Sequence, residues 1–403
     1  MIKKIKKYAT TNTLVIVGIT FGALFGILFP ELALKQKIIG SAFIAFLKML
    51  VIPLVFSSIF IAILGLGSLQ HLKNIGLKTI GLYLLTTALA VLLAILAMNI
   101  FNIGESVSSN GLEYAKAATI APFSLQKMIL SFIPTNIFNS LNNGSMMQII
   151  LFAILFGIAS LHLKKNQQEV MVTFFTAVSE AMLKMAEWVI LMTPIGVFSL
   201  ISYVIAQQGI DVVLGLWKYM LVVIGVIVVH GIITLPAILA FFGKIDPYTY
   251  LSDIREAPIM AFSTASSAAT LPVSMRVSEE MGGVSKKTAS FVLPLGATVS
   301  MDGTAAYLSV AVLYIANLAG VPLGFGEQLF LGITVVALSV GVAALPSASL
   351  VMMVVILNQL GLPVEYIALI VAVDRLLDMC RTSLNVTSDL IVAKTVDQLE
   401  KLK

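Results

Sequence analysis

Long stretches without a single Asp, Glu, Lys or Arg recur along the whole chain of 403 residues. They cover 9–30, 49–72, 79–104, 128–163, 188–210, 219–243, 257–275, 303–326 and 328–364. About 20 apolar residues cross a bilayer as a helix, and long unbroken runs distinguish helices from the alternating strands of a membrane barrel. With 11% charged and 59% hydrophobic residues, the chain is unlike ordinary soluble domains. The sequence therefore predicts an all-α integral membrane protein.

The stretches resolve into eight predicted membrane spans. Their bounds are near 11–31, 38–66, 75–103, 127–163, 168–207, 213–243, 288–317 and 366–396. With both termini in the cytoplasm, sixteen Lys and Arg residues fall on the inner side and four on the outer side, which agrees with the positive-inside rule. The net charge of +5 comes mostly from lysines that border apolar runs, so it indicates topology and not a nucleic-acid partner. The predicted location is the cell (inner) membrane.

Two uncharged stretches do not fit simple spans, because each is interrupted near its centre. The stretch 257–275 contains a cluster of Ser, Thr and Ala closed by Pro272, and the stretch 328–364 has Gly341 to Ser349 in its middle. Proline interrupts helical hydrogen bonding. Broken backbone is tolerated in a membrane only inside protein or along a cavity, and a matched pair of broken segments is typical of secondary transporters. We predict two re-entrant helical hairpins; two pairs of ordinary helices with proline turns are the alternative.

The last predicted span carries charged and amide side chains on one face. At about 100° per residue, Asp374, Asp378, Arg381, Asn385 and Asp389 fall within a narrow sector of the helix. A charge near the bilayer centre costs at least about 2.5–3.5 kcal/mol, so this polar face must be turned toward protein or an aqueous cavity. Structural pairing explains one Asp–Arg contact but not the whole set. We therefore interpret the polar face as a binding site.

The chemistry of the polar face fits an acidic amino acid. The planar guanidinium of Arg381 suits a carboxylate, and Asp378, one helical turn away, suits an ammonium group. Asn385 and hairpin backbone are left for the second carboxylate. Asp389 and Asp302 have no cationic neighbour in their own segments. Such carboxylates bind a small hard cation or relay a proton.

Three segments, 266–272, 295–304 and 377–389, carry a resemblance to a known family. Over about 12–396, the chain resembles the dicarboxylate/amino acid:cation symporters, the family of the glutamate transporters. The resemblance implies the glutamate-transporter fold: eight transmembrane helices, two re-entrant hairpins and inverted repeats, assembled as a homotrimer. It also implies import of L-aspartate or L-glutamate coupled to cations.

The same resemblance implies two domains in each protomer. A scaffold would comprise 1–74 and 127–212, and a transport domain would comprise 75–126 and 213–403. The transport domain would slide across the membrane like an elevator, with the second hairpin as the extracellular gate.

By matching position, the resemblance also assigns site residues. The implied substrate ligands are Ser266, Ser267, Thr304, Leu345, Arg375, Asp378, Arg381, Thr382 and Asn385. One implied cation site uses Gly296, Asn385 and Asp389, and a second uses main-chain oxygens of Thr298, Ser339, Val340 and Val342. A third uses Tyr83, Thr86, Thr87 and Asp302, with Ser300 and Met301 in the same motif. No cofactor beyond the coupling ion is expected.

Departures from the family pattern leave the coupling ion open. Ser300 stands where the family has Asn in an Asn-Met-Asp triplet, which favours H+ or fewer Na+ ions. Asp389 and the segment 83–87 favour Na+, the ion we expect. Asp378 favours an amino acid over a plain dicarboxylate. The alternative is an H+-coupled symporter of glutamate or a C4-dicarboxylate.

Other function classes fit less well. An ion channel would need a selectivity-filter signature, and an intramembrane aspartyl protease would need a second catalytic Asp with its own glycine motif beside Asp302. The chain is therefore not expected to be an enzyme. His230, in the middle of a span, is interpreted as a hydrogen-bonded packing residue, with proton carriage as the alternative. The polar stretch 133–144 predicts a bend in the fourth span.

Overall fold

The computed structural model describes residues 11–67, 73–104, 130, 132–209, 215–339 and 348–401. Regular structure in these ranges is helical throughout, as predicted. The helices are α1 Thr11–Leu28, α2 Pro30–Lys35, α3 Lys37–Gly67, α4 Lys73–Phe101, α5 Ile137–Asn143, α6 Met146–Ser160, α7 Lys165–Leu191, α8 Thr193–Gln208, α9 Leu216–Gly243, α10 Pro247–Ile254, α11 Glu256–Thr264, α12 Ser267–Glu280, α13 Lys286–Val299, α14 Asp302–Leu318, α15 Phe325–Ser339, α16 Ala348–Gln359 and α17 Ile367–Lys401. A 3-10 turn at Val364–Tyr366 precedes α17.

Four helices of the described ranges are long and apolar enough to cross a membrane, judged by length and composition. They are Pro30–Ile61, Ile75–Phe101, Leu216–Gly243 and Lys286–Leu318, and the bent pair Lys165–Val189 and Thr193–Gln207 makes a fifth if it counts as one span. The last helix, α17, is outside this set; its first half holds several charged residues. The chain is thus a multi-pass membrane protein by its apolar helices.

Two predicted spans are not continuous helices. The span predicted over 168–207 consists of two helices: the chain bends by 56° between α7 and α8, where Pro194 lies in the first turn of the second helix. Proline is favoured at the first positions of a helix and breaks one that precedes it. The span predicted over 288–317 coincides with Lys286–Leu318, which is long and apolar enough to cross a membrane, but Ser300 and Met301 leave the helical conformation between α13 and α14.

The fourth predicted span is interrupted as the polar stretch 133–144 indicates. Gly144 ends α5 in the left-handed conformation with φ of 65°, and α6 begins at Met146. Asn136 caps α5, since its side chain accepts hydrogen bonds from the backbone N–H groups of Phe138 and Asn139.

The first predicted hairpin consists of α11 and α12, which pack against each other. The chain turns at Ala265, whose φ is 50°, and Ser266 Oγ then accepts a hydrogen bond from the N–H of Ala269 at 3.2 Å as the cap of α12. The prediction that Pro272 interrupts the helix is wrong, because Pro272 lies inside α12. The left-handed turn and the serine cap end one helix and start the next without it. The corresponding turn between α15 and α16 lies outside the described residues.

The last helix, α17, is central to the packing of the second half of the chain. Helices α9, α11, α12, α13 and α14 all pack against it. All five residues of its polar face are between 1% and 7% exposed. This confirms that the polar face is turned toward protein, as the cost of a charge in lipid requires.

A second group of helices, α1, α3, α6, α7 and α8, packs largely within itself. The closest approach joins α1 to α8. A Cβ atom built on Gly18, Gly22 or Gly26 of α1 would lie 2.5–2.7 Å from a carbonyl oxygen of α8. Small residues at such positions let membrane helices approach closely.

Candidate functional site

Arg381 lies at the centre of the polar face between two carboxylates of its own helix. Its Nη2 donates a hydrogen bond to Asp378 Oδ1 at 2.6 Å, and its Nη1 lies 3.1 Å from Asp374 Oδ1. The residue is 1% exposed, and its Nε and Nη1 have no hydrogen-bond acceptor among the described residues. The buried guanidinium therefore keeps donors that a further anion can use.

Tyr307 of α14 fixes this arrangement from the opposite side. The Cζ atom of Arg381 lies 3.9 Å from the centroid of the Tyr307 ring, a cation–π contact. The Tyr307 hydroxyl donates a hydrogen bond to Asp374 Oδ1 at 2.7 Å. The sequence analysis does not predict Tyr307. The one signal that could have found it is its spacing of three residues from Thr304, which places both on the same face of α14.

Two further residues of α17 contact Asp378. Arg375 Nη1 lies 3.8 Å from Asp378 Oδ2, and Thr382 Oγ1 donates a hydrogen bond to the Asp378 main-chain oxygen at 2.8 Å. The Arg375 side chain is 35% exposed, whereas Thr382 is buried. Two guanidinium groups, those of Arg375 and Arg381, thus flank the Asp378 carboxylate.

Helices α14 and α17 come closest at Gly303. Asn385 Oδ1 accepts a hydrogen bond from the Gly303 N–H at 2.8 Å, and Asn385 Nδ2 lies 3.5 Å from Thr304 Oγ1. A Cβ atom on Gly303 would lie 2.6 Å from the main-chain oxygen of Arg381, so a larger residue would push the helices apart. The first N–H groups of a helix have no partner within it, which leaves this one for Asn385. Thr304, Arg381 and Asn385 thereby meet at one place.

Asp302 is enclosed by four side chains from three other helices. Its Oδ1 accepts hydrogen bonds from Thr87 Oγ1 at 2.6 Å and Thr86 Oγ1 at 3.2 Å. Its Oδ2 accepts one from Ser388 Oγ at 2.6 Å and lies 3.2 Å from His230 Nε2. The side chains of Asp302 and His230 are fully buried. This is a carboxylate surrounded by hydroxyl groups and one imidazole.

The interpretation of His230 as a packing residue is incomplete. The residue is buried and hydrogen-bonded, as predicted, but its partner is Asp302, a candidate ion ligand. His230 opens a π-helical turn, His230–Thr234, inside α9, and such turns are frequent at functional sites. Because the partner is 72 residues away in sequence, spacing within the segment carries no signal of the contact.

Asp389, Gly296 and Tyr83 form a second oxygen-rich point. A Cβ atom on Gly296 would overlap both the Tyr83 hydroxyl and the Asp389 carboxylate, so both groups converge on the α13 backbone. The Tyr83 hydroxyl donates a hydrogen bond to the Val292 carbonyl at 3.0 Å. Asp389 Oδ1 is buried and has no hydrogen-bond donor among the described residues. A buried carboxylate oxygen of this kind calls for a cation or a proton.

The remaining predicted residues lie at helix ends. Ser266 caps α12, Ser267 begins it, Thr298 is in the last turn of α13, Ser300 and Met301 follow that turn, and Ser339 ends α15. Ser300 Oγ is buried and has no partner among the described residues, and Ser339 Oγ donates to the Val336 carbonyl at 2.8 Å. Val340, Val342 and Leu345 lie outside the described residues.

Asp302 and Asp389 each have other oxygen atoms close to their carboxylates. In the described part of the chain, no group of three or more His, Cys, Asp or Glu side chains could hold a metal ion. Each point instead combines one carboxylate with hydroxyl oxygens or a close main-chain approach. Oxygen ligands suit hard cations, and each carboxylate could alternatively carry a proton.

Comparison with known proteins identifies the family. The model of the sodium:dicarboxylate symporter family matches residues 12–399. The chain belongs to this symporter family. The resemblance predicted from three segments is confirmed, and so is the prediction that the chain is not an enzyme, because the family is one of transporters.

Similar proteins come from bacteria and animals. The chain is 32% identical over 395 residues to a proton/glutamate-aspartate symporter of Bacillus subtilis (strain 168), covering 96% of the chain and 94% of that protein. It is 33% identical over 379 residues to a proton/glutamate-aspartate symporter of Escherichia coli (strain K12), covering 90% and 86%. It is 32% identical over 442 residues to excitatory amino acid transporter 2 of Homo sapiens, covering 96% and 79%.

Proposed function

We propose that this symporter imports an acidic amino acid, L-glutamate or L-aspartate, together with Na+. The observation that carries the proposal is the buried guanidinium of Arg381, whose Nε has no acceptor among the described residues and whose Nη1 contacts Asp374 only as an ion pair, without hydrogen-bond geometry. An unsatisfied buried donor costs about 1–3 kcal/mol, and an anionic solute would satisfy it. The names of the relatives, which are glutamate-aspartate symporters and excitatory amino acid transporters, support the same substrate class.

The proposed roles in substrate binding follow from charge. Arg381 pairs with the side-chain carboxylate of the solute, and Asp378 takes the α-ammonium group. Because Asp374 and Asp378 already lie beside Arg381, the solute carboxylate takes over part of their pairing and turns Asp378 toward the ammonium. The α-carboxylate is assigned to polar groups around Asn385, and the full proposed set adds Ser266, Ser267, Thr304, Leu345, Arg375 and Thr382.

Na+ is the proposed coupling ion, at the two oxygen-rich points. One ion binds near Asp389, Gly296 and Asn385, where Asp389 Oδ1 has no described donor. Another binds near Asp302, where Thr86 and Thr87 already point their hydroxyls at the carboxylate. The full proposed set of ion ligands adds Tyr83, Thr298, Ser300, Met301, Ser339, Val340 and Val342.

Proton coupling is the second candidate, and it would accompany glutamate or a C4-dicarboxylate. It is favoured by the contact of His230 with Asp302, and by Ser300, which stands in place of an amide and whose hydroxyl has no partner among the described residues. The relatives carry both ions in their names, including a proton/sodium-glutamate symport protein of Geobacillus stearothermophilus.

The proposed architecture has eight spans and two re-entrant hairpins related by inverted repeats, with both termini cytoplasmic in the inner membrane. The scaffold is 1–74 and 127–212, and the transport domain is 75–126 and 213–403, which moves as an elevator within a homotrimer. The separate packing of the α1, α3, α6, α7 and α8 group supports this division. So does the assembly of the hairpin α11–α12 on α17.

Uptake into proteoliposomes tests the proposed function. Purified protein is reconstituted, and labelled L-glutamate, L-aspartate and succinate are offered under an inward Na+ gradient at equal pH or under an inward proton gradient without Na+. We expect saturable uptake of the amino acids driven by Na+, with little competition from succinate. Succinate uptake that the amino acids do not inhibit would overturn the substrate, uptake driven by protons alone would overturn the ion, and current without uptake would indicate a channel.

A further inference from the structure

A groove of about 780 Å³ runs between α4 and α9, away from the polar face of α17. The α4 wall consists of Leu93, Leu96, Ala97, Ile100 and Phe101. The α9 wall consists of one face of that helix, which begins at Trp217 and ends at Val229. Its walls are apolar apart from Lys218. Ile100 is 74% exposed and Leu221 is 59% exposed, so the groove opens to the outside of the described part of the chain.

The small residues of the groove give it depth. Gly225 lines it, and a Cβ atom built on Gly225 meets no atom within 4 Å. Ala97 lines the opposite wall. In a bilayer, an apolar groove that opens outward is filled by acyl chains, because burying apolar surface away from water is favourable.

A cation and an indole ring lie at one end of the groove. Lys218 and Trp217 are both in the first turn of α9, and Lys218 Nζ lies 5.8 Å from the centroid of the Trp217 ring. Both side chains are exposed, and in the described ranges no carboxylate forms an ion pair with Lys218. Lys and Trp together are typical of the membrane surface, where Lys attracts anionic head groups.

We propose that this groove binds one anionic phospholipid, with an acyl chain between α4 and α9 and the phosphate group at Lys218. The groove supplies the apolar contact, and the ammonium of Lys218 at its end supplies the charge complement. A zwitterionic lipid would bring its own cation toward Lys218, so the site discriminates by head group. The proposal requires a membrane-embedded chain but no particular substrate or coupling ion.

Fluorescence of Trp217 tests the proposal directly, because this residue lines the groove. The chain has two tryptophans, so Trp188→Phe leaves Trp217 as the sole reporter. The protein is reconstituted in phosphatidylcholine vesicles that contain increasing fractions of brominated phosphatidylglycerol or brominated phosphatidylcholine, whose bromine atoms quench indole fluorescence on contact. We expect half of the Trp217 fluorescence to be quenched at a fraction of brominated phosphatidylglycerol roughly fivefold lower than the fraction of brominated phosphatidylcholine that has the same effect. This is the ratio for one Lys beside an anionic head group.

Two variants separate the site from general lipid contact. Lys218→Gln should remove the preference for phosphatidylglycerol, and Gly225→Leu should reduce quenching because it fills the groove. The matched control is Gly81→Leu on α4, since a Cβ atom there also meets nothing within 4 Å. The fluorescence of this variant should be quenched to the same extent as that of the parent.

Equal quenching by the two lipids, or a preference that survives Lys218→Gln, would overturn the proposal. Absence of quenching by either lipid would overturn it too, because protein would then cover the groove. Failure of amino-acid uptake would not affect this result.

Discussion

Replacing Arg381 by cysteine is expected to abolish uptake of L-glutamate and L-aspartate. Arg381 is buried, pairs with Asp374 and Asp378, and stacks on Tyr307. Truncating one partner of a buried, hydrogen-bonded charge pair costs about 2–5 kcal/mol of binding free energy, which corresponds to a loss of roughly 30-fold to several thousand-fold in affinity. The measurement is the binding and uptake of labelled glutamate by the variant in proteoliposomes, with neutral amino acids offered in parallel. The smaller, uncharged side chain is expected to admit a neutral amino acid.

The matched control for this variant is Arg375→Cys. Arg375 is on the same helix and also contacts Asp378, but at 3.8 Å and with a side chain that is 35% exposed. Its loss should weaken glutamate binding far less than the loss of Arg381. If Arg381→Cys binds neutral amino acids, the protein is folded and the loss of glutamate binding is specific. Unchanged glutamate affinity in Arg381→Cys would refute the pairing.

The second large effect is expected for Asp389→Asn, on the ion and not on substrate selectivity. Asp389 Oδ1 is buried and has no hydrogen-bond donor among the described residues. It fits beside Tyr83 because position 296 is a glycine, where a Cβ atom would overlap both groups. An amide in its place lowers the charge offered to a cation. We expect the Na+ concentration for half-maximal uptake to rise by about tenfold or more, the factor for about 1.4 kcal/mol, while the ranking of glutamate, aspartate and succinate stays the same.

Asp397→Asn on the same helix is the control for a change of charge alone. Asp397 is buried near the end of α17, where its Oδ1 accepts a hydrogen bond from the Ser285 N–H at 3.1 Å and its Oδ2 pairs with Lys401 at 2.6 Å. This variant should keep the Na+ dependence of the parent. If Asp389→Asn keeps it as well, the assignment of Asp389 to an ion is wrong.

The polar face of α17 could be predicted because charge in a membrane is costly. Five groups at helical spacing had to be covered by protein, and all five are buried. The first hairpin was predictable as an interruption, but its position was not. Pro272 is the obvious helix breaker in that segment, yet the chain turns at Ala265, where backbone conformation and a serine cap decide the outcome.

Contacts between distant segments could not be predicted from spacing. Arg381 stacks on Tyr307, and Asp302 contacts His230 and Ser388. Each of these contacts depends on how two helices pack against each other. The break at Ser300 and Met301 was hidden for a related reason, since neither residue is a strong helix breaker. Ser300 nevertheless takes an extended conformation at the end of α13, and Met301 lies immediately before α14.

Binding of L-glutamate and glutarate to the purified protein tests the central claim, that the polar face of α17 contacts a solute with both acidic and ammonium groups. Glutarate is glutamate without its ammonium group, so the ratio of the two affinities reports the contact with Asp378. We predict that titration calorimetry in Na+ gives a preference for glutamate of about tenfold or more, as for a charged hydrogen bond. Asp378→Asn should remove this preference, and Asp374→Asn, beside the same Arg381, should retain it. An equal preference for glutamate in the parent and in Asp378→Asn would contradict the claim.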